Sequence, residues 1–413
     1  MAAHGARAVL LDVPSEATAR VDGAEFAWDD RFQGVRNVPL GIHFIGFVAP
    51  GTDANGAGAC VGEFIEVLCR DDVFVRRWDA SLETMGGGEG MAAAEAENAR
   101  AAARARAFDG RMARYPEEAS KSWTAMSGFI TRKSLRRCGI DCGTRIEAGD
   151  PDADAREAET SGMTPYFDNV QRAPVFTRAA TSRAPRGKTP SEISALNLDP
   201  ELRLSHALEC FGDDGWRGLM GEFQLAFVLL VGLSSMAALE QWKHLAHVVC
   251  ACAQSAVFKY PELYSTFIDA MSTQLERAGE DFFVDDYSDD NFIRPCLVAL
   301  MKIDVSEAPS DDEITDLDQR AKLDEIAKKL ARLARDVRKK FDVRLVDEAR
   351  EAKLADAENE NGDEDGPVVV ELSEGTYMAM NATNIDQDDT EPPLIEPTPA
   401  PPSRMSWMVG EQS

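Results

Sequence analysis

Positive charge is scarce in this sequence. Lys and Arg number 44 against 72 Asp and Glu, which gives a formal net charge of −28 over 413 residues. A surface this acidic repels phosphate backbones and anionic headgroups over most of its extent. That argues against direct, sequence-independent nucleic-acid binding and against attachment to a membrane surface. Long apolar runs are also missing. The longest, Leu225 to Leu233, falls short of half the roughly 20 residues that a bilayer span needs, and it reads as a buried helix. The opening Met-Ala-Ala-His-Gly-Ala-Arg has no charged start leading into a long apolar core, so no secretory leader is expected. Eight Cys are too few for a disulfide framework, and a reducing compartment is the default expectation.

The signatures of catalysis are sparse as well. Only five His occur, at 4, 43, 206, 244 and 247, and there is no Gly-x-Ser-x-Gly elbow. Gly86-Gly87-Gly88-Glu89-Gly90 lacks the Lys-Ser or Lys-Thr of a phosphate loop and reads as a flexible linker. Asp285-Asp286 and Asp289-Asp290 are unremarkable in so acidic a chain. His244 and His247 lie one turn apart on an expected helix, with Cys250 and Cys252 just beyond, as zinc ligands can. The helix around them is apolar, which favours packing. Cys138 and Cys142 have no second pair to match them. His43 falls inside an expected strand and reads as a packing residue. No cofactor and no metal are expected.

What the chain does have is a core-forming composition, 44% apolar, long enough for two or three domains. The first 80 residues read as strands: Arg7 to Val13, the β-branched and aromatic run Val38 to Val48, Val61 to Cys69, and Val73 to Trp78. In the third, Val61, Glu63, Ile65 and Val67 share one face and Phe64 lies on the other. Arg70-Asp71-Asp72 reads as a hairpin turn into the fourth, and the set suggests a compact antiparallel sheet domain. An Ala- and Arg-rich helix over 91–112 follows, and then a helix over 117–132 with the stripe Trp123, Met126, Phe129 and Ile130.

Composition shifts over 148–188 to acidic, small, Pro, Arg, Ser and Thr residues, a linker by pattern. Thr189-Pro190-Ser191-Glu192 then reads as a helix start with a capping box. Helices follow in succession through 303, including Pro261 to Arg277. A long amphipathic helix is expected over 317–351, with Leu323, Ile326, Leu330, Leu333, Val337 and Phe341 on one face. Its other face carries Lys328, Lys329, Arg332, Arg335, Arg338, Lys339 and Lys340, the one basic strip of the chain. That strip reads as a solvated face, with an acidic partner or RNA as the alternative. Beyond it, Val368-Val369-Val370-Glu371-Leu372 is isolated between polar stretches. It is too short for a core of its own, and could pair with this protein's own sheet edge or add a strand to another protein.

Several motifs, in order along the chain, resemble the AAR-two splicing-factor family. They are Phe32-Gln33-Gly34-Val35-Arg36 with Val38-Pro39-Leu40-Gly41-Ile42-His43-Phe44, Thr189-Pro190-Ser191-Glu192-Ile193, and Ser205-His206-Ala207-Leu208-Glu209. Glu222-Phe223-Gln224-Leu225-Ala226-Phe227, Glu240-Gln241-Trp242-Lys243, Asp281-Phe282-Phe283-Val284-Asp285 with Asp290-Asn291-Phe292, and Pro367 to Leu372 with Glu374-Gly375 continue the series. The resemblance implies an α+β chain, with a β-rich N-terminal domain and an all-helical, VHS-like domain. It implies no enzyme activity. It further implies an assembly factor of the U5 snRNP that binds the large scaffold protein of that particle at its RNase H-like and Jab/MPN-like domains. While bound, such a factor delays docking of the particle's RNA helicase. By the same resemblance, Val368, Val369, Val370, Glu371 and Leu372 form the strand added to the partner, and the protein is expected in cytoplasm and nucleus.

The expected organisation is a β-rich domain with trailing helices over 5–147, a disordered linker over 148–188 and a helical domain over 189–351. An acidic tether over 352–366, the partner-binding strand over 367–376 and a disordered tail over 377–413 complete it. The rival readings are a metal- or cysteine-dependent enzyme in the helical domain and direct RNA binding through the basic helix face.

Overall fold

The computed structural model describes residues 5–14, 17–26, 32–50, 57–80, 84–86, 91–149, 173–177, 189–279, 293–305 and 317–362. Two sheets come first. One, in the order β8-β7-β1-β4-β9, is built from β1 (Ala6–Leu11), β4 (Gly34–Val38), β7 (Val73–Asp79), β8 (Thr84–Gly86) and β9 (Ala113–Arg114). The other, in the order β10-β6-β5-β2-β3, holds β2 (Thr18–Val21), β3 (Ala24–Phe26), β5 (Gly41–Pro50), β6 (Ala57–Val67) and β10 (Ile146–Glu147).

The period-two pattern sorts their side chains into layers. Leu10, Val35, Ile45, Phe47, Val61 and Ile65 fill the space between the two sheets. On the far side of the first sheet, Val9, Val73 and Val75 meet Ala103 of α1 (Ala93–Arg104). On the far side of the second, Phe44 and Phe64 turn toward the helices, with ring centroids 5.0 Å apart.

The expected hairpin between β6 and β7 does not form. β6 pairs with β5, whereas β7 crosses to the other sheet and runs parallel to β1. The turn is instead a corner between sheets, held by Asp72, whose carboxylate accepts from Leu68 N at 2.7 Å and Cys69 N at 2.8 Å. Parallel pairing of β1 with β7 and of β4 with β9 also makes the first sheet mixed, not purely antiparallel.

The helix expected over 117–132 ends early, as α2 (Glu117–Ser127), and a separate short helix, α3 (Arg132–Arg137), follows it. α2 ends at Gly128, and Thr131 starts α3, its side chain accepting from Ser134 N while Ser134 Oγ accepts from Thr131 N.

The helical part comprises α4 (Pro190–Leu198), α5 (Pro200–Cys210), α6 (Gly215–Leu233), α7 (Met236–Cys250), α8 (Ala253–Lys259) and α9 (Pro261–Arg277). It continues with α10 (Ile293–Met301), α11 (Leu317–Phe341) and α12 (Leu345–Gly362). The capping box read from Thr189 and Glu192 is present at the start of α4. The helix expected over 317–351 breaks after Phe341, where Asp342 takes φ +57° and ends α11 in the left-handed conformation that a short polar side chain tolerates.

α6 is the axis of the fold. By length and composition it could cross a membrane, yet 78% of its apolar window is buried inside the protein. Two of its glycines let it lie close to the β-rich half. A Cβ at Gly221 would sit 2.5 Å from Phe129 O, and one at Gly232 would sit 2.5 Å from the Phe44 ring. The two halves therefore share one hydrophobic core, which runs from Phe44, Phe64 and Trp123 into Phe223, Trp242 and Phe267.

Candidate functional site

Two polar clusters fasten the halves together. Asp22 is fully buried at φ +54°, in the turn between β2 and β3. Its Oδ1 accepts from Phe44 N at 2.9 Å, and its Oδ2 lies 2.5 Å from Tyr115 OH and 2.6 Å from His43 Nδ1. His43 Nε2 lies 3.0 Å from Pro39 O, so both ring nitrogens face oxygen acceptors. Burial, then the adjacent Asp22 charge, pushes the Tyr115 phenol far up, so this hydroxyl stays a donor. Across the boundary Arg277 of α9 reaches Ser122 Oγ at 2.7 Å. His43 is thus a buried structural residue, and its partners include no nucleophile.

The second cluster centres on Glu222 of α6, which is fully buried inside the apolar helix. Its carboxylate takes two bonds from Thr177, the backbone N–H at 2.6 Å and the hydroxyl at 2.6 Å, and a third from Gln241 Nε2 at 2.9 Å. Gln241 also donates to Thr177 O at 3.0 Å, and Val175 N donates to Cys138 O at 3.0 Å. Residues 173–177, inside the stretch expected to be linker, are therefore a strap docked on both halves. Burial raises the Glu222 pKa, and its hydrogen bonds oppose that rise. Cys138, beside it, is pushed well up by burial and by Glu222, which makes it an inert thiol.

The C-terminal arm begins with α11. The basic strip divides there into bound and solvent-facing cations. Lys329 reaches Ser265 Oγ and Asp269 on α9, both at 2.6 Å, and Lys340 donates to the carbonyls of Leu275, Glu276 and Ala278 at the end of that helix. Lys328, Arg332, Arg335, Arg338 and Lys339 are exposed. An open groove of about 440 Å³ runs between α2, α9 and α11, and Arg332 lines it together with Asp269, Glu276 and Asp336. α12 then folds back onto α10, where Arg294 grips Glu348 through two bonds of 2.9 Å and Lys302 reaches Asp356 at 2.7 Å. Val368, Val369, Val370, Glu371 and Leu372 lie outside the described residues.

The described sheet edges bear on where such a strand could pair. β3 and β8 have three residues each, and β9 and β10 two each. The outer side of the long β6 is taken by β10 at Val61 and Gly62, and by Gly143 N at Phe64 O. None of the four edge strands is as long as the five-residue segment.

The other candidates separate. Among the described residues no group of three or more His, Cys, Asp or Glu is arranged to hold a metal ion. His206 pairs with Glu209 at 3.6 Å. Cys252 is buried against Tyr264, whose hydroxyl donates to Val249 O at 2.8 Å. Cys250 and Cys296 are both buried in the helical core, and His247 is exposed. The Asp285-Asp286 and Asp289-Asp290 pairs and Gly87 to Gly90 lie outside the described residues.

Comparison with known proteins matches both halves in order. A family model described as the AAR2 N-terminal domain matches residues 4–139, and one described as the AAR2 C-terminal repeat region matches residues 176–345. Among curated proteins, the Protein AAR2 homolog of Macaca fascicularis is 26% identical over 409 residues, covering 91% of this chain and 96% of that relative. The Protein AAR2 homolog of Homo sapiens is 26% identical over 71% of this chain and 81% of its own length. That of Caenorhabditis elegans is 27% identical over 72% of this chain and 86% of its own.

Proposed function

This chain belongs to the AAR2 family, and on that premise we propose that it is a non-enzymatic assembly factor of the U5 snRNP in pre-mRNA splicing. It binds the large scaffold protein of that particle at the RNase H-like and Jab/MPN-like domains, and so delays docking of the RNA helicase. It does this in cytoplasm and nucleus, without a cofactor. The observation that carries the reading is the match of both family models, in order, along one chain.

Val368 to Leu372 add a strand to the partner. The short edges of this protein's own sheets support that choice over pairing within the chain. The mounting of α12 supports it too, because its bonds to α10 fix the point from which the C-terminal segment leaves. Gly362 and Val368 are six residues apart, a reach of at most roughly 20 Å in extended chain. The strong negative charge suits a protein that sits beside basic, RNA-binding surfaces and keeps polyanions away.

Affinity purification of the tagged full chain from cell extract tests the reading. Recovery of the large U5 scaffold protein is the expected result, and its absence under conditions that preserve U5 particles would overturn it.

A further inference from the structure

The cations of α11 that α9 leaves untouched fall on one line. Lys328, Arg332, Arg335 and Lys339 follow each other at intervals of four, three and four residues, so they share one side of the helix, opposite the buried Leu330, Leu333 and Val337. All four are exposed, and the exposed Arg338 stands beside them. Among the described residues, Lys328, Arg332, Arg338 and Lys339 make no ion pair, and Arg335 reaches just its chain neighbour Asp336, at 3.2 Å. Eleven residue steps at 1.5 Å each put Lys328 and Lys339 about 16 Å apart along the axis. In a chain of net charge −28, such a line is a local reversal of sign.

The line is short and closed at both ends. Asp324 and Glu325 precede it, Asp342 follows it, and Asp336 borders it. It carries no aromatic side chain. A polynucleotide laid along it would run its phosphates onto those carboxylates and find no ring on which to stack its bases. A short run of carboxylates fits better. The chain has such runs beyond α12, where residues 363–413 hold 11 Asp and Glu against one Arg. One of them, Asp386-Gln387-Asp388-Asp389-Thr390-Glu391, places four carboxylates over five residue steps, about 16 Å of extended chain.

We propose that residues 386–391 dock on the α11 stripe of the same chain, four carboxylates against four cations. Asp386 lies 24 residues beyond Gly362, a reach of up to roughly 80 Å, against about 37 Å for the whole of α11. Asp363-Glu364-Asp365 offers three carboxylates and extends no more than about 10 Å from the end of α12. Each exposed ion pair is weak in isolation, but attachment to the same chain holds the carboxylates at a high effective concentration, so docking needs little affinity. The docked run closes residues 363–385 into a loop, with Val368 to Leu372 inside it. On the reading that this segment is the partner strand, the stripe keeps the strand against its own body until the scaffold takes it. The docking itself does not depend on that reading.

The test uses the purified full chain and a water-soluble carbodiimide, which joins a lysine amine to a carboxylate in contact with it. Lys328 and Lys339 are the reporters. Peptide mass spectrometry of the monomer is expected to find one of them joined to Asp386, Asp388, Asp389 or Glu391, in a product one water lighter than the separate peptides. Raising salt from about 0.05 M to about 0.5 M shortens the screening length to a few ångströms and is expected to lower that yield about fivefold. The Arg332→Glu/Arg335→Glu chain changes two exposed positions and keeps both reporters, and its yield is expected to fall by a similar factor. The proposal is overturned if links to 386–391 are missing, if they form in a dimer alone, or if the double variant forms them undiminished. It is overturned equally if the full chain retains a short single-stranded RNA that the double variant releases, a result that assigns the stripe to RNA.

Discussion

Thr177 gives its backbone N–H to one oxygen of Glu222 and its hydroxyl to the other, each at 2.6 Å. A single residue of the strap thereby takes both oxygens of a carboxylate that has no exposure to water. The strap, the axial helix α6 and Gln241 of α7 become one unit through this contact.

Replacing Glu222 by Ala strands three donors and costs about 2–4 kcal/mol in urea denaturation. Glu222→Gln costs less, because the amide oxygen can still accept from Thr177 N and Gln241, and the Thr177 hydroxyl can rotate to accept. The two chains also differ in pH dependence. Glu222 has a raised pKa in the folded protein, so the folded chain holds that proton more tightly than the unfolded one. Stability linked to this group falls as pH rises from the ordinary carboxylate range through the raised value, and is level above it. The stability of Glu222→Gln relative to wild type therefore improves across that window, and a difference independent of pH would contradict the assignment.

Asp22 supports a graded prediction. Tyr115→Phe removes one of its donors and costs about 1–2 kcal/mol. Asp22→Ala costs more, about 3 kcal/mol, because the ring of His43, Phe44 N and the Tyr115 hydroxyl all lose an acceptor in a buried place. Equal costs for the two variants would show that the network does not act through Asp22.

Neighbouring cations on α11 give a contrast. Lys340→Ala loses three bonds to the carbonyls that end α9 and costs about 1 kcal/mol. Lys339→Ala, at an exposed position, stays within about 0.5 kcal/mol. Thermal unfolding of the two variants side by side reads the difference.

The features that were legible in the sequence are those set by near neighbours. Thr189 and Glu192, three apart, announce a capping box that is present, and Pro261 to Arg277 is a helix with those bounds. Alternation along β6 placed Val61 and Ile65 opposite Phe64, as found between the sheets and against the helices. The β6–β7 turn misled because a tight polar corner has the same composition whether the chain turns back or crosses to another sheet. The break at Asp342 was hidden because the apolar stripe of α11 reaches Phe341 with no Gly or Pro after it. The strap was invisible for a different reason. Thr177 lies 45 residues from Glu222 and 64 from Gln241, and its own surroundings have linker composition. Glu222, inside an apolar run, was the available signal, since a carboxylate buried there must be met by donors from elsewhere.

Under the proposed function, residues 368–372 carry much of the binding to the U5 scaffold. The direct measurement is the affinity of the scaffold's RNase H-like and Jab/MPN-like domains for the full chain and for the chain lacking 366–376. Five residues of added strand contribute several main-chain hydrogen bonds at about 0.5–1.5 kcal/mol each, so the deletion is expected to weaken binding by at least tenfold. Unchanged affinity would contradict the account.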